Sequence, residues 1–267
     1  MPSNNPVFGR GFGSAQQASW GTAPAQQYGA PGYADPYAAP SPYAATTTRY
    51  MTMDDVVTKT GITFLVTVLA AAAVWALPGT MGWGLAIPAV FVGLILGLVI
   101  SFKQIANPAA TLSYGAIYGL ALGAISEVFN AVYPGIVMQA LIGTFGVFAG
   151  MLFVYKTGAI RVTPKLTRWV VGALIGALVL MLVNGLAAWI GGGDGLGLRS
   201  GGPVAILFSL VVIGVAAFML LLDFDAADEA IRRGAPAKFA WYIAFGLLVT
   251  VVWLYLEILR LLSYFRE

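Results

Sequence analysis

The chain has 267 residues, 59% of them hydrophobic and only 9% charged, with a mean hydropathy of +0.84, where soluble domains carry roughly 25% charged residues; this excludes an ordinary water-soluble domain. The net charge of +3 is dispersed with no long basic cluster, which argues against a nucleic-acid partner. Cysteine and histidine are both absent, removing disulfides, thiol and Ser-His nucleophiles, histidine metal sites and histidine pH switches.

Residues 1–48, as in "YGAPGYADPYAAPSPYAA", are rich in Ala, Pro, Tyr, Gln and Gly with few aliphatic residues to bury, which predicts a disordered cytoplasmic tail. The tail lacks the charged and apolar regions of a signal peptide. After a short amphipathic lead-in, "MTMDDVVTKT", seven apolar segments follow near 61–77, 81–102, 109–131, 134–155, 169–190, 203–222 and 239–265. Each is close to the roughly 20 residues a helix needs to cross a bilayer core about 30 Å thick. The links at 78–80 and 132–133 are short, so the first four spans are expected to pack as two antiparallel hairpins. With the N-terminus inside, eleven of the 14 basic residues fall on the cytoplasmic side, leaving Arg199, Arg260 and Arg266 outside. The positive-inside rule therefore predicts a cytoplasmic N-terminus and an outer C-terminus; a re-entrant last segment would put both ends inside.

Membrane helices associate through close backbone approach at small residues. Gly115, Gly119 and Gly123 make a double GxxxG ridge on the third span, and Gly93 with Gly97 and Gly172 with Gly176 repeat the pattern on the second and fifth. Several such pairs together predict a tight bundle.

Most acidic residues lie in the tail or loops, but Glu127, Asp223 and Glu257 fall in apolar segments. A charge at bilayer depth costs at least about 2.5 kcal/mol, so such groups face a polar cavity or a partner. Taking Trp241 and Tyr242 as one aromatic belt and Tyr264 with Phe265 as the other, Glu257 sits about 6 Å outward of the midpoint at 1.5 Å per residue. Its simplest partner is Arg260, three residues on. Asp223 closes the sixth span just before Asp225, Asp228 and Glu229, where a solvated helix end is the plain alternative. Glu127 lies at a depth comparable with Glu257 beside Ser126 and Asn130, and an interfacial carboxylate facing water is its plain alternative.

The runs "LYLEILRLLSYF", "LLLDFDAADEAI" and "GLALGAISEVFNAVYPG" followed by "ALIGTFGVFAGMLFVYKTG" resemble the seventh, sixth, third and fourth helices of the Bax inhibitor (transmembrane Bax inhibitor motif) family, bacterial branch. The resemblance covers about residues 55–267. It implies an all-α membrane protein in which the last of seven helices is central and wrapped by the other six. It also implies a pH-dependent calcium leak through a paired acidic site, which carried over by motif would be Asp223 and Glu257, a weak calcium site at most. Two close carboxylates in a low dielectric share a proton, which gives a switch without histidine. The chain departs from the pattern in having Glu at 257 where the family usually has Asp, and in a longer connection between the two acids. A straight hairpin reversing at residues 234–236 leaves them about 15 Å apart in depth. Glu127 with Glu257 is therefore an alternative pair, with Asp225, Arg260 and Asn130 as supporting residues.

The leading expectation is a passive cation pathway, with calcium as the transported ion and no cofactor, in a multi-pass protein of the cell membrane. Membrane lipids and calcium ions are the expected partners. The alternative is a non-transporting scaffold or stress regulator that binds other membrane proteins. An enzyme is disfavoured. The stretch "GGGDGLG" resembles the GxGD motif of intramembrane aspartyl proteases, but it puts Asp194 in an outer loop, opposite the predicted side of Asp223. A retinal protein would need a lysine midway along the last helix, whereas Lys238 stands at its start.

Overall fold

In a computed structural model of the chain, the described residues are 49–76, 80–191, 193 and 195–266. The expected tail over 1–48 and the loop residue Asp194 lie outside them. The chain forms α1 (Met53–Trp75), α2 (Thr80–Lys103), α3 (Pro108–Val132), α4 (Ile136–Thr157), α5 (Pro164–Gly191), α6 (Pro203–Arg232) and α7 (Ala240–Tyr264), with a single 3-10 turn at Ala237–Phe239 leading into α7. Seven helices are long and apolar enough to cross a membrane, as the hydropathy predicts.

The lead-in "MTMDDVVTKT" belongs to α1, which starts eight residues before the expected span. Thr52 and Asp55 form a capping box: the Asp55 amide donates to Thr52 Oγ1, and the Thr52 amide donates to Asp55 Oδ2, both at 3.2 Å. Two orphan donors of the helix end are thereby satisfied. Asp55 also pairs with Arg49 at 3.1 Å and Lys59 at 3.7 Å. The extended residues before α1 then lie against the α6–α7 turn, with the Met51 amide donating to Ala235 O at 2.8 Å and the Ala237 amide to Arg49 O at 2.7 Å. Lys59 Nζ completes this knot by donating to Ala237 O and lying 5.7 Å from the centre of the Trp241 ring.

α7 is the central helix, with 72% of its most apolar window buried against 17–39% for the other six. α1, α3, α4 and α6 surround it, while α2 rests chiefly on α3 and α5 on α6. The expectation that all six neighbours wrap the last helix is thus corrected to four. The hairpin expectation for the first two spans also fails: the main partner of both α1 and α2 is α3. The reason is the glycine ridge, which offers α1 a closer approach than α2 can. A Cβ on Gly119 would fall on the Thr67 carbonyl oxygen, one on Gly123 would fall on the Ala71 carbonyl oxygen, and one on Gly115 would lie 2.8 Å from Thr67 Oγ1. On α2, Gly93 and Gly97 instead receive the rings of Tyr118 and Tyr114 from α3. Gly172 and Gly176 on α5 face open space, with nothing within 4 Å of a Cβ at either, so among the described residues the third glycine pair receives no neighbour.

The segment after α5 folds back onto its own helix. Asn184, two turns before the end of α5, accepts from the Leu196 amide at 2.9 Å and the Leu198 amide at 3.4 Å through Oδ1. Gly195 permits the return: its φ is +64°, and a Cβ there would strike the Asn184 carbonyl. Arg199 is carried toward the bundle by this return.

The packing gives a direct contrast. Gly119→Val should destabilise the protein by about 3 kcal/mol or more, the upper end of overpacking costs because a backbone carbonyl and not a side chain must move, whereas Gly172→Val should leave stability nearly unchanged. Thermal unfolding of both variants in detergent, followed by circular dichroism, checks this; equal midpoints would remove the glycine ridge as the organiser of α1.

Candidate functional site

Thr250, Tyr255 and Glu257 are polar groups in an otherwise apolar stretch of α7. Thr250 is nearest the α6–α7 turn. Its hydroxyl donates to Asp223 Oδ2 across the α6–α7 interface at 2.6 Å. Asp223 and Thr250 line a groove of about 270 Å3 together with Ser101 and Tyr242. Among the described residues Asp223 has no ion pair.

Five residues further along α7, the Tyr255 hydroxyl meets Ser126 Oγ of α3 at 2.7 Å. This contact sets α3 against α7 at the level of the next acid. Glu257 is 2% exposed, and its Oε1 accepts from Arg199 Nη2 at 3.0 Å and from Arg260 Nη1 at 3.3 Å. Its Oε2 is buried without a hydrogen-bond partner. Arg260 is the intrahelical partner the spacing predicts. Arg199 arrives from the α5–α6 loop, 58 residues away in sequence.

The two acids of the motif-based pair are therefore not brought together. Asp223 meets α7 at Thr250, and Glu257 lies seven residues beyond, about 10 Å along the helix axis. The cause is the length of α6, which continues to Arg232 before the turn at Gly234 and so draws Asp223 away from the far half of α7. Asp223 and Glu257 thus take different partners at different levels of α7, and among the described residues no group of three Asp or Glu side chains lies close enough to hold a metal ion.

Glu127 is half-buried on α3 next to Ser126, close in level to Glu257 as its depth predicts, but both hydrogen bonds of Glu257 go to arginines. Asn130 Oδ1 accepts from the Gly135 amide at 2.9 Å, tying the α3–α4 turn, and Asp225 is half-buried two residues past Asp223. Asp228 accepts from Tyr155 Oη at 3.2 Å and pairs with Arg232 at 3.3 Å.

A family model described as "Bax inhibitor 1 like" matches residues 5–267, nearly the whole chain. The protein belongs to the Bax inhibitor 1 like family. A search of the curated proteins found no match. In this family member the final-helix acid is buried, as the "LYLE" motif leads one to expect, but its partners are arginines. Sequence reasoning missed Arg199 as a partner, having used it only to count loop charges. The available signal was a solitary cation within the glycine-rich run "GGGDGLGLRSGG", where flexible backbone can return a long side chain to the bundle. Thr250 was missed as well, because a hydroxyl in an apolar helix carries no charge to draw notice.

Removing the whole counter-charge of a buried carboxylate costs about 3–5 kcal/mol; here Arg260 still pairs with Glu257 when Arg199 is lost, so the cost falls below that range. Arg199→Met is therefore expected to lower stability by less than about 3 kcal/mol, and Glu257→Gln to rescue much of that loss. A coupling energy above about 1 kcal/mol in the double-mutant cycle is the expected outcome; additive effects would mean that the contact contributes nothing.

Proposed function

We propose that this Bax inhibitor 1 like membrane protein is a passive, pH-sensitive cation leak, with calcium as the transported ion, gated by protonation of buried carboxylates. The observation that carries the reading is Glu257: a carboxylate with both hydrogen bonds on one oxygen, from a loop arginine and a helix arginine, at 2% exposure. Protonation cancels its charge, and the attraction that draws Arg199 inward goes with it. The α5–α6 loop is then free to withdraw from the end of the bundle. Loss of a single proton reverses the change, with no histidine involved.

Asp223 is the complementary half of this reading. It lacks a cationic partner among the described residues and borders an open groove, so it is the acid able to attract a cation. One carboxylate and a few hydroxyl or carbonyl oxygens suit hydrated calcium in transit better than a tight site. We put Glu127, half-buried and next to the Ser126 that meets Tyr255, on the same proposed route. We place the protein in the cell membrane with its N-terminus cytoplasmic, which puts Asp223 toward the cytoplasm and Arg199 on the outer side, and we read it as non-enzymatic.

A second reading, a non-transporting scaffold that binds other membrane proteins, is favoured by one feature: the Gly172 and Gly176 face of α5, which receives no neighbour among the described residues. A single stoichiometric partner crosslinked through α5, with no ion flux, would support it.

Liposomes containing the purified protein and a calcium dye test the leak. Flux should rise as the pH falls from 8 to 5. Glu257→Gln should hold the flux high at every pH, because the amide resembles the protonated acid, and Asp223→Asn should lower flux without removing its pH dependence. Absence of flux across that range, or a pH profile unchanged by Glu257→Gln, would overturn the reading.

A further inference from the structure

α1 and α4 both pack on α7, yet they meet each other chiefly at Phe64 and Phe148, whose rings lie 6.4 Å apart and nearly perpendicular. Two cavities lie along the seam, one of about 370 Å3 reaching Met53 and Lys156, the other of about 270 Å3 reaching Trp75 and Phe145. Phe64 borders both. The first cavity is floored by Phe224 of α6 and Leu247 of α7, and walled by Gly61 of α1 and Leu152 of α4. Val57, on its rim, is 64% exposed, so in a bilayer this cavity opens sideways onto lipid.

Three features at this cavity identify the occupant. First, its walls are almost wholly apolar, and an apolar space does not hold water. In a membrane it is filled by whatever chain lies beside it. From Met53 to Phe64 the helix rises about 16 Å at 1.5 Å per residue, half of a core about 30 Å thick, which is the depth of one leaflet. Secondly, Thr60 lines the cavity with Oγ1 buried and without a hydrogen-bond partner. Thr63, Thr67 and Thr144, on the same two helices, each donate back to the carbonyl four residues earlier; Thr60 keeps its donor for something else. Thirdly, Lys156 stands at the mouth. It begins a series of four cations, Lys156, Arg161, Lys165 and Arg168, none ion-paired among the described residues. The nearby acid Asp228 is already engaged by Arg232 and so repels an incoming anion less.

We propose that this part of the seam is a binding site for an anionic phospholipid from the leaflet on the Lys156 side. One acyl chain fills the cavity beside Gly61, an ester carbonyl accepts from Thr60 Oγ1, and the phosphate lies against Lys156 Nζ. The chain then rests on α7 at Leu247, one turn from Thr250. This assignment is independent of whether the protein conducts ions.

Native mass spectrometry of the full chain, titrated with phosphatidylglycerol and phosphatidylcholine in competition, tests it. Wild type should retain one phosphatidylglycerol through collisional activation. Lys156→Gln should reduce the preference for phosphatidylglycerol by about fivefold, the effect of one basic residue at a membrane surface, and Thr60→Val should weaken retention of both lipids. Nothing lies within 4 Å of a Cβ at Gly61, so Gly61→Phe introduces its ring at the cavity wall and should abolish retention. Gly176→Phe, equally unobstructed but on α5, should change nothing. No retained lipid in wild type, an unaltered preference in Lys156→Gln, or equal retention in Gly61→Phe and Gly176→Phe would overturn the proposal, the last by showing only ordinary boundary lipid.

Discussion

A carboxylate inside an apolar helix is costly unless its charge is met there, and Glu257 is met by two arginines from different parts of the chain. Arg260 comes with the helix itself, one turn on, and needs no folding beyond α7. Arg199 is available only because α5 ends in a glycine-rich segment that turns back on Asn184. The glycines of that loop, the side chain of Asn184 and the burial of α7 are thus joined through a single ion pair. With two cations and one anion the cluster at Glu257 carries excess positive charge, whereas Asp223 has no ion pair among the described residues and is met by a hydroxyl. This contrast follows from which acid received the arginines.

α7 has its depth of burial because its neighbours can come close. The ridge of Gly115, Gly119 and Gly123 lets α1 lie backbone against backbone on α3, and the pair together form one wall around α7. On the other side, α4 and α6 complete the ring. Hydrophobicity cannot organise such a bundle, since lipid is as apolar as leucine; the missing side chains of one helix and a few polar contacts to α7 do so. Thr111 Oγ1 donating to Trp241 O, Ser126 with Tyr255, and Thr250 with Asp223 fix α3 and α6 along α7 at separate levels, and so determine its register.

Much of this architecture was legible in the sequence. Hydropathy alone yields the seven spans, because 20 apolar residues have few other fates, and the burial of Glu257 and its pairing with Arg260 follow from position and spacing. Three things were not legible. The start of α1 was placed late, because Asp54, Asp55 and Lys59 depress hydropathy even though Thr52 and Asp55 spell a capping box. The partner of α1 was misjudged because a short link fixes the direction of the next helix but not which face it seeks. Arg199 was invisible as a partner because its 58-residue separation from Glu257 is bridged by loop conformation, which leaves no periodic trace.

The separation of Asp223 from Glu257 has a mechanical consequence. If the two shared one proton, a single titration would alter the α6–α7 contact directly. Here each acid is bound to a different element: Asp223 to Thr250 within the helical core, Glu257 to a loop that is tied back to α5 through Asn184. Neutralising Asp223 leaves the acid able to keep its hydrogen bond with the threonine hydroxyl, so the helices need not move. Neutralising Glu257 removes the ion pair that holds the α5–α6 loop to α7, leaving the loop tied to α5 through Asn184. Under the proposed gating, the response to acid is expected where α5 joins α6, with α7 as the fixed axis.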